Sequence, residues 1–207
     1  MSSQPDSALH SGAANPSRRE QILRAAAQLF AERGARAVGV DDVGAAVGIS
    51  GPALYRHFAS KDAMLAEMLV RISERLLAGG SERIAAAGDD PGAQLRALVA
   101  FHVDFALDNP ALITVQDRDL GALAEADAHR VRQLQRRYVE EWVAVLARLH
   151  PAAATASCRA RAHAVFGLIN STPHSAGRLD RPAMAELLTT MAEAAATAPP
   201  ALRNPGA

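Results

Sequence analysis

The chain holds one cysteine, Cys158, in 207 residues. A single thiol excludes any disulfide framework within the chain. Cys158 reads as a small buried hydrophobe, and a bridge between two copies is the only disulfide left open. Net charge is lacking too: 22 basic side chains balance 22 acidic ones. That balance removes any whole-protein electrostatic argument for nucleic-acid binding, so such a role must rest on a local surface. From Ser17 to Asp62 seven basic residues face five acidic ones, an excess of only two. Long apolar runs are missing as well. The longest charge-free stretch, Ala162 to Gly177, is interrupted by His, Asn, Ser, Thr and Pro, so no membrane span is expected. The start of the chain lacks the basic-then-apolar order of a signal peptide, and the expected location is cytoplasmic.

Catalytic signatures are equally scarce. No phosphate-binding glycine loop, His-Glu-x-x-His or Gly-x-Ser-x-Gly occurs, and the seven histidines are scattered without zinc spacing. His102 and Asp104 stand two residues apart, which on a helix points them to different faces. No enzyme, catalytic residue, cofactor or metal is expected.

What remains is helix. Strand signals are nearly absent, and apolar residues recur at helical spacing from end to end. About nine helices are expected between a disordered tail at 1–16 and another at 198–207. Ser17 and Glu20 fit a capping box ahead of Ile22, Leu23, Ala26, Leu29 and Phe30, with Gly34 as the stop. Two short helices follow, from about Val40 to Val47 and from Gly51 to about Phe58, joined by Gly48-Ile49-Ser50. Ser60 caps a longer helix, striped by Leu65, Met68, Leu69, Ile72 and Leu76, whose end Gly79-Gly80 weakens. Asp90-Pro91 opens the next. After Asn109-Pro110 a less regular piece covers Ala111 to about Ala124. A strong helix runs from about Ala126 to Leu149, with Arg136–Glu140 and Arg137–Glu141 as i,i+4 pairs. Its Arg130–Arg137 stretch is either a solvated face or an anion site. Two Ala-rich helices, about Thr155 to Pro173 and Pro182 to Thr197, close the chain. The expected fold is all-α: an N-terminal three-helix helix-turn-helix domain (17–60) plus a larger helical ligand-binding and dimerisation domain (61–197). A flexible linker between them is disfavoured, because the Ser60 helix is continuous.

The segment Val40 to Lys61 carries the functional signal. Two short helices around a tight Gly turn let the second enter a DNA major groove while the first braces it. Val43, Val47, Ile49, Leu54 and Phe58 are spaced to pack the pair on the first helix, and Ser50 with Pro52 starts the second. From the glycine turn onward, Ser50, Ala53, Leu54, Tyr55, His57, Phe58, Ser60, Lys61 and Asp62 match a Ser-x-x-(Thr/Ala)-Leu-Tyr-x-(His/Tyr)-Phe-x-(Ser/Asn)-Lys-(Asp/Glu) pattern. By that run and the Ala25 to Gly34 stretch, the N-terminal quarter to third resembles the tetracycline-repressor (TetR) family. The rest resembles it in length and helical make-up.

The resemblance implies a dimeric regulator bound to double-stranded DNA at a pseudo-palindromic operator. Its implied DNA-binding residues are Ser50, Gly51, Pro52, Ala53, Tyr55, Arg56, His57 and Lys61. Tyr55, His57 and Lys61 fall at phosphate contacts, and Gly51, Pro52 and Arg56 face base edges, roles that suit their chemistry. Lys61 is the only lysine in the chain. Gly39 and Ala53 stand where the family usually has hydroxyls, so weaker non-specific affinity is expected. The family's homodimer implies a four-helix interface from the last two long helices, which Ala160 to Phe166 and Ala183 to Ala196 suit. The alternative is that these helices only cap their own core.

In the larger domain, Phe101, His102, Phe105, Tyr138, Trp142, Phe166 and Asn170 fit either a ligand chamber with polar groups orienting an apolar guest, or a filled core around a hydrogen-bonded histidine. Phe101 to Asp119, Arg132 to Trp142 and Phe166 to His174 look like TetR-type regulators of lipid and acyl-CoA metabolism. That likeness implies a small apolar or acyl-type effector, a coenzyme A thioester included, that releases a repressor from its operator. Arg118 is a candidate for the effector's charged end, or a partner for Asp117 or Asp119. The alternative for this domain is an architectural DNA-binding protein with no effector.

Overall fold

The computed structural model describes residues 17–175, 177 and 179–199. The tail expected at 1–16 lies outside them, as does that expected at 198–207 apart from its first two residues. Among the described residues ten α-helices and one 3-10 turn are found: α1 (Arg18–Arg33), α2 (Val40–Ala46), α3 (Gly51–Tyr55), α4 (Lys61–Ala86), α5 (Pro91–Asp108), α6 (Pro110–Asp119), the 3-10 turn Leu120–Ala122, α7 (Glu125–Leu149), α8 (Thr155–Ile169), α9 (Thr172–Ser175) and α10 (Arg181–Thr197). No single helix among them is long and apolar enough to cross a membrane.

Side-chain caps set most of the starts. Ser17 and Glu20 form the reciprocal box on α1, and Ser50, Ser60, Asp90 and Asp180 each accept from a backbone amide in the first turn that follows. Proline at the first or second position fixes φ for α3, α5, α6 and α10. At Gly39 no hydroxyl exists, yet the Gly39 amide donates to the Asp42 carboxylate at 2.7 Å, so half of the cap survives.

The helices enclose two cores. Ile22, Ala26, Phe30, Val43, Leu54, Phe58, Met64 and Leu69 form the first, joined from the larger domain by Val115 and Val131. Leu98, Val99, Tyr138, Trp142, Val165, Ile169 and Leu188 are among the second. Helix α4 feeds both cores and packs along α7 and α5, so it is a rigid connector.

Several boundaries differ from expectation. Gly79-Gly80 does not end α4, which runs on to Ala86. A Cβ at Gly80 would stand 2.6 Å from Tyr138 Cε2, and one at Gly79 would strike the Phe101 ring. The glycines therefore admit two aromatic rings from α5 and α7, a packing need that outweighs helix propensity. The supposedly irregular Ala111 to Ala124 stretch is mostly helix α6. Helix α3 stops at Tyr55, and the Thr155 helix stops at Ile169 before the short α9. Glu140 bonds Arg159 and Glu141 bonds Ser81, in place of the i,i+4 pairs with Arg136 and Arg137.

Candidate DNA-recognition surface and apolar chamber

Helix α3 is short and firmly held. Gly44 permits the turn before it, since a Cβ there would stand 2.7 Å from the Ile49 carbonyl oxygen. Ser50 Oγ accepts from the Ala53 amide, and Leu54 and Phe58 are buried against α1 and α4. Pro52, Tyr55 and Arg56 are exposed, with Ala53 and His57 half-buried beside them. Gly51 is buried beside the Asp41 carboxylate, whose Oδ1 would have to shift to admit a Cβ there. Lys61 lies at the start of α4, and its Nζ donates to the Arg36 carbonyl at 3.2 Å, which leaves two of three ammonium donors for another acceptor.

The residues that aim α3 escaped the sequence reading. Arg19, on the first turn of α1, donates to both carboxylate oxygens of Glu67 and to the His57 carbonyl oxygen, and its guanidinium lies 4.2 Å over the Phe58 ring. The Arg19 bond holds the Glu67 carboxyl below its ordinary range despite partial burial. Arg18 Nη2 donates to the Val47 carbonyl at 2.7 Å, on the turn before α3. One faint signal existed. Arginines in the first turn of a helix oppose its dipole, so Arg18 and Arg19 needed partners elsewhere.

In the larger domain a chamber of about 230 Å³ lies between α4, α5, α6, α7 and α8. Five of the seven expected residues line it: His102, Phe105, Tyr138, Phe166 and Asn170. Two do not. Phe101 packs on Gly79 with Arg83 above its ring, and Trp142 is fully buried behind the wall, edge-on to Phe166 at 5.0 Å. Ser73, Gln116, Gln135 and His163 add polar groups that no periodicity marked. Its lining comes from five helices, and only the fold brings such distant residues together.

His102 is the polar centre. It is buried, with Nδ1 3.1 Å from the Tyr138 hydroxyl and Nε2 3.1 Å from Asn170 Oδ1. A neutral ring satisfies both at once: Nε2–H donates to Asn170 and Nδ1 accepts from Tyr138. Burial pushes the imidazole down to about 4 against the pull of the Asn170 bond, and burial likewise raises the Tyr138 phenol. This is a neutral hydrogen-bonding group on an apolar wall, with no acid–base partner. Asp104 is exposed on another face, bonded to Arg181. Among the described residues no group of His, Cys, Asp or Glu is placed to hold a metal.

Arg118 does not reach the chamber. It donates to the Phe30 and Ala31 carbonyl oxygens at the end of α1 and pairs with Asp119 at 3.0 Å. A cation at a helix C-terminus is favourable, so Arg118 fastens α6 to α1 instead of serving a ligand's charged end.

Comparison with known proteins agrees with this two-part arrangement. Residues 22–68 match the family model for bacterial regulatory proteins of the tetR family, and 88–195 match that for the tetracyclin repressor-like C-terminal domain. The transcriptional repressor KstR2 of Rhodococcus jostii is 37% identical over 131 residues, 62% of this chain and 63% of that protein. The transcriptional activator FasR of Mycolicibacterium smegmatis is 36% identical over 88 residues, 42% of this chain and 40% of that one. These matches thus span less than two thirds of the relatives' own lengths. The ketosteroid transcriptional regulator KstR2 of Mycobacterium tuberculosis superposes with a TM-score of 0.74 over 86% of this chain and 94% of its own, at 23% identity, which speaks for the fold alone.

Proposed function

The chain belongs to the TetR family of bacterial regulatory proteins, and from that membership we propose that it is a ligand-responsive, dimeric, DNA-binding transcription regulator. The observation that carries the proposal is the solvent face of α3. Tyr55 is 55% exposed, Pro52 and Arg56 flank it, and Arg18 and Arg19 clamp the helix from behind. An aromatic side chain that open serves no core, and its hydroxyl suits a phosphate while Arg56 suits a guanine edge.

Exposed apolar surface marks the second interface. The described residues include four exposed large hydrophobics; beside Tyr55 they are Leu179, Leu187 and Met191, at 47%, 44% and 47%. Leu187 and Met191 lie one turn apart on α10, and α8 offers Ala160, Ala164 and Gly167 as exposed small residues. Small residues and an apolar ridge suit a four-helix interface between two copies, whose two-fold axis would match an inverted-repeat operator.

The effector reading follows from the chamber. Its wall is mostly apolar, and the neutral His102 bridge with Asn170 can orient one polar group of a guest. An apolar or acyl-type effector, a coenzyme A thioester included, suits that lining. An architectural role with a solid domain would leave the chamber without use. Binding that favours a spacing of the two α3 helices unlike that of the operator lowers DNA affinity, and the regulator then acts as a repressor. The test is a panel of acyl-CoA esters, free fatty acids, steroids and aromatic drugs titrated into the operator complex. Release by one apolar class at micromolar concentration is expected; no release by any member would favour the architectural role.

A further inference from the structure

The chamber is smaller than the roughly 300–1,000 Å³ usual for ligand pockets, but it does not stand alone. Beside it an open groove of about 660 Å³ runs between α1, α4 and the α5–α6 corner. Ile72 and Leu112 line both hollows. The groove floor is apolar, with Leu23, Ala27 and Met68 nearly buried beneath it, while Arg24, Arg71 and Arg75 stand along its length.

Among the described residues Arg24 and Arg75 make no ion pair or hydrogen bond, and Arg71 pairs with Glu67 at 3.5 Å, a carboxylate that Arg19 also holds. Of the rim acids, Asp108 is engaged by Arg181, while Glu20 is held in the Ser17 cap and also feels the charges of Arg71 and Arg24. Three guanidiniums, two of them without a bonded partner, over an apolar floor that adjoins an apolar chamber complement a molecule with an anionic head and an apolar tail.

We propose that this groove holds the anionic end of the effector, a phosphate or carboxylate whose apolar chain passes Ile72 and Leu112 into the chamber. The proposal rests on the effector reading above. Because Arg24 belongs to α1 and Arg71 and Arg75 to α4, an anion shared among them bears directly on how the α1–α3 unit is held against the connector.

The test uses the full chain and its single tryptophan, Trp142, which reports on the chamber from behind Phe166. Dodecyl phosphate, dodecanoate and dodecanol are titrated by fluorescence into the wild type and an Arg24→Ala/Arg75→Ala variant, with inorganic phosphate as a further arm. The two anionic chains should bind at least about tenfold more tightly than the alcohol. The variant should lose that advantage and keep its affinity for dodecanol. An advantage that persists in the variant, or an equal loss for the alcohol, overturns the groove alone. Competition by inorganic phosphate as strong as by dodecyl phosphate overturns it in favour of a plain anion site. No fluorescence change with any chain overturns the chamber reading and the groove together.

Discussion

Arg19→Ala is the perturbation that best exposes how this fold aims α3. The side chain joins three elements: it donates twice to Glu67 on α4, once to the His57 carbonyl oxygen just past α3, and covers the Phe58 ring. Both partners are partly open to solvent, with Arg19 at 40% and Glu67 at 24%, so the ion pair itself is worth only about 0.5–1 kcal/mol. The bond to the His57 carbonyl adds about 1 kcal/mol and the ring contact about 0.5–1 kcal/mol. Removal should therefore cost about 2–3 kcal/mol, or roughly 5–10 °C in Tm for a domain of this size. Arg19→Lys keeps the charge but not the fork and should recover less than half of the loss. Acid should shrink the difference by the ion-pair part alone, leaving the contribution of the His57 bond and the ring contact. The Glu67 carboxyl titrates lower in the folded chain than in the unfolded one, so its contribution is complete above the ordinary glutamate range and fades as pH falls through the lowered value. The assay is thermal unfolding by circular dichroism at pH 7 and pH 3 for the three proteins, beside operator affinity at pH 7. A Tm change below about 1 °C at pH 7 would refute the clamp.

Two further outcomes follow from the larger domain. Gly80→Ala replaces glycine with the best helix former, yet it should destabilise by about 1–3 kcal/mol, because its methyl meets the Tyr138 ring; a rise in the urea midpoint would show that the close approach is not required. His102 titrates near 4 when folded against about 6.5 when unfolded, so between those values the unfolded chain binds the extra proton. Stability should thus fall by about 3 kcal/mol as pH drops from 6.5 to 4, and His102→Gln should remove that part of the pH dependence. Matching pH profiles for the two proteins would refute the buried neutral histidine.

The fold was legible where local chemistry decides structure. Ser17, Ser50, Ser60 and Asp90 announced helix starts through their caps, and the Leu54, Tyr55, Phe58 and Lys61 pattern located α3 and the start of α4. Legibility failed where tertiary contact decides. Gly79 and Gly80 look like helix breakers until Phe101 and Tyr138 are seen seated on them. Gly51 sits beside the Asp41 carboxylate, a neighbour that no local pattern announces. Arg19 and Glu67 carried little signal, and the role of Arg118 at the end of α1 was hidden, because these partners lie 38 to 88 residues away. The chamber was half legible: His102, Phe105, Tyr138, Phe166 and Asn170 stood out on α5, α7 and α8 with its C-cap, whereas Ser73, Gln116, Gln135 and His163 converge only through the packing of α4, α6, α7 and α8.

The central claim is that α3, presented by a dimer, reads DNA, and selection from random duplexes tests it most directly. Duplexes retained by the full chain are sequenced, and the best is titrated over a range of salt with the wild type, Arg56→Ala and Lys61→Ala. The account predicts an enriched inverted repeat bound by two copies, a relaxed base preference with Arg56→Ala, and a salt slope lower by about one per subunit with Lys61→Ala. No enriched sequence, or an inverted repeat bound equally well and with equal salt dependence by all three proteins, would contradict it.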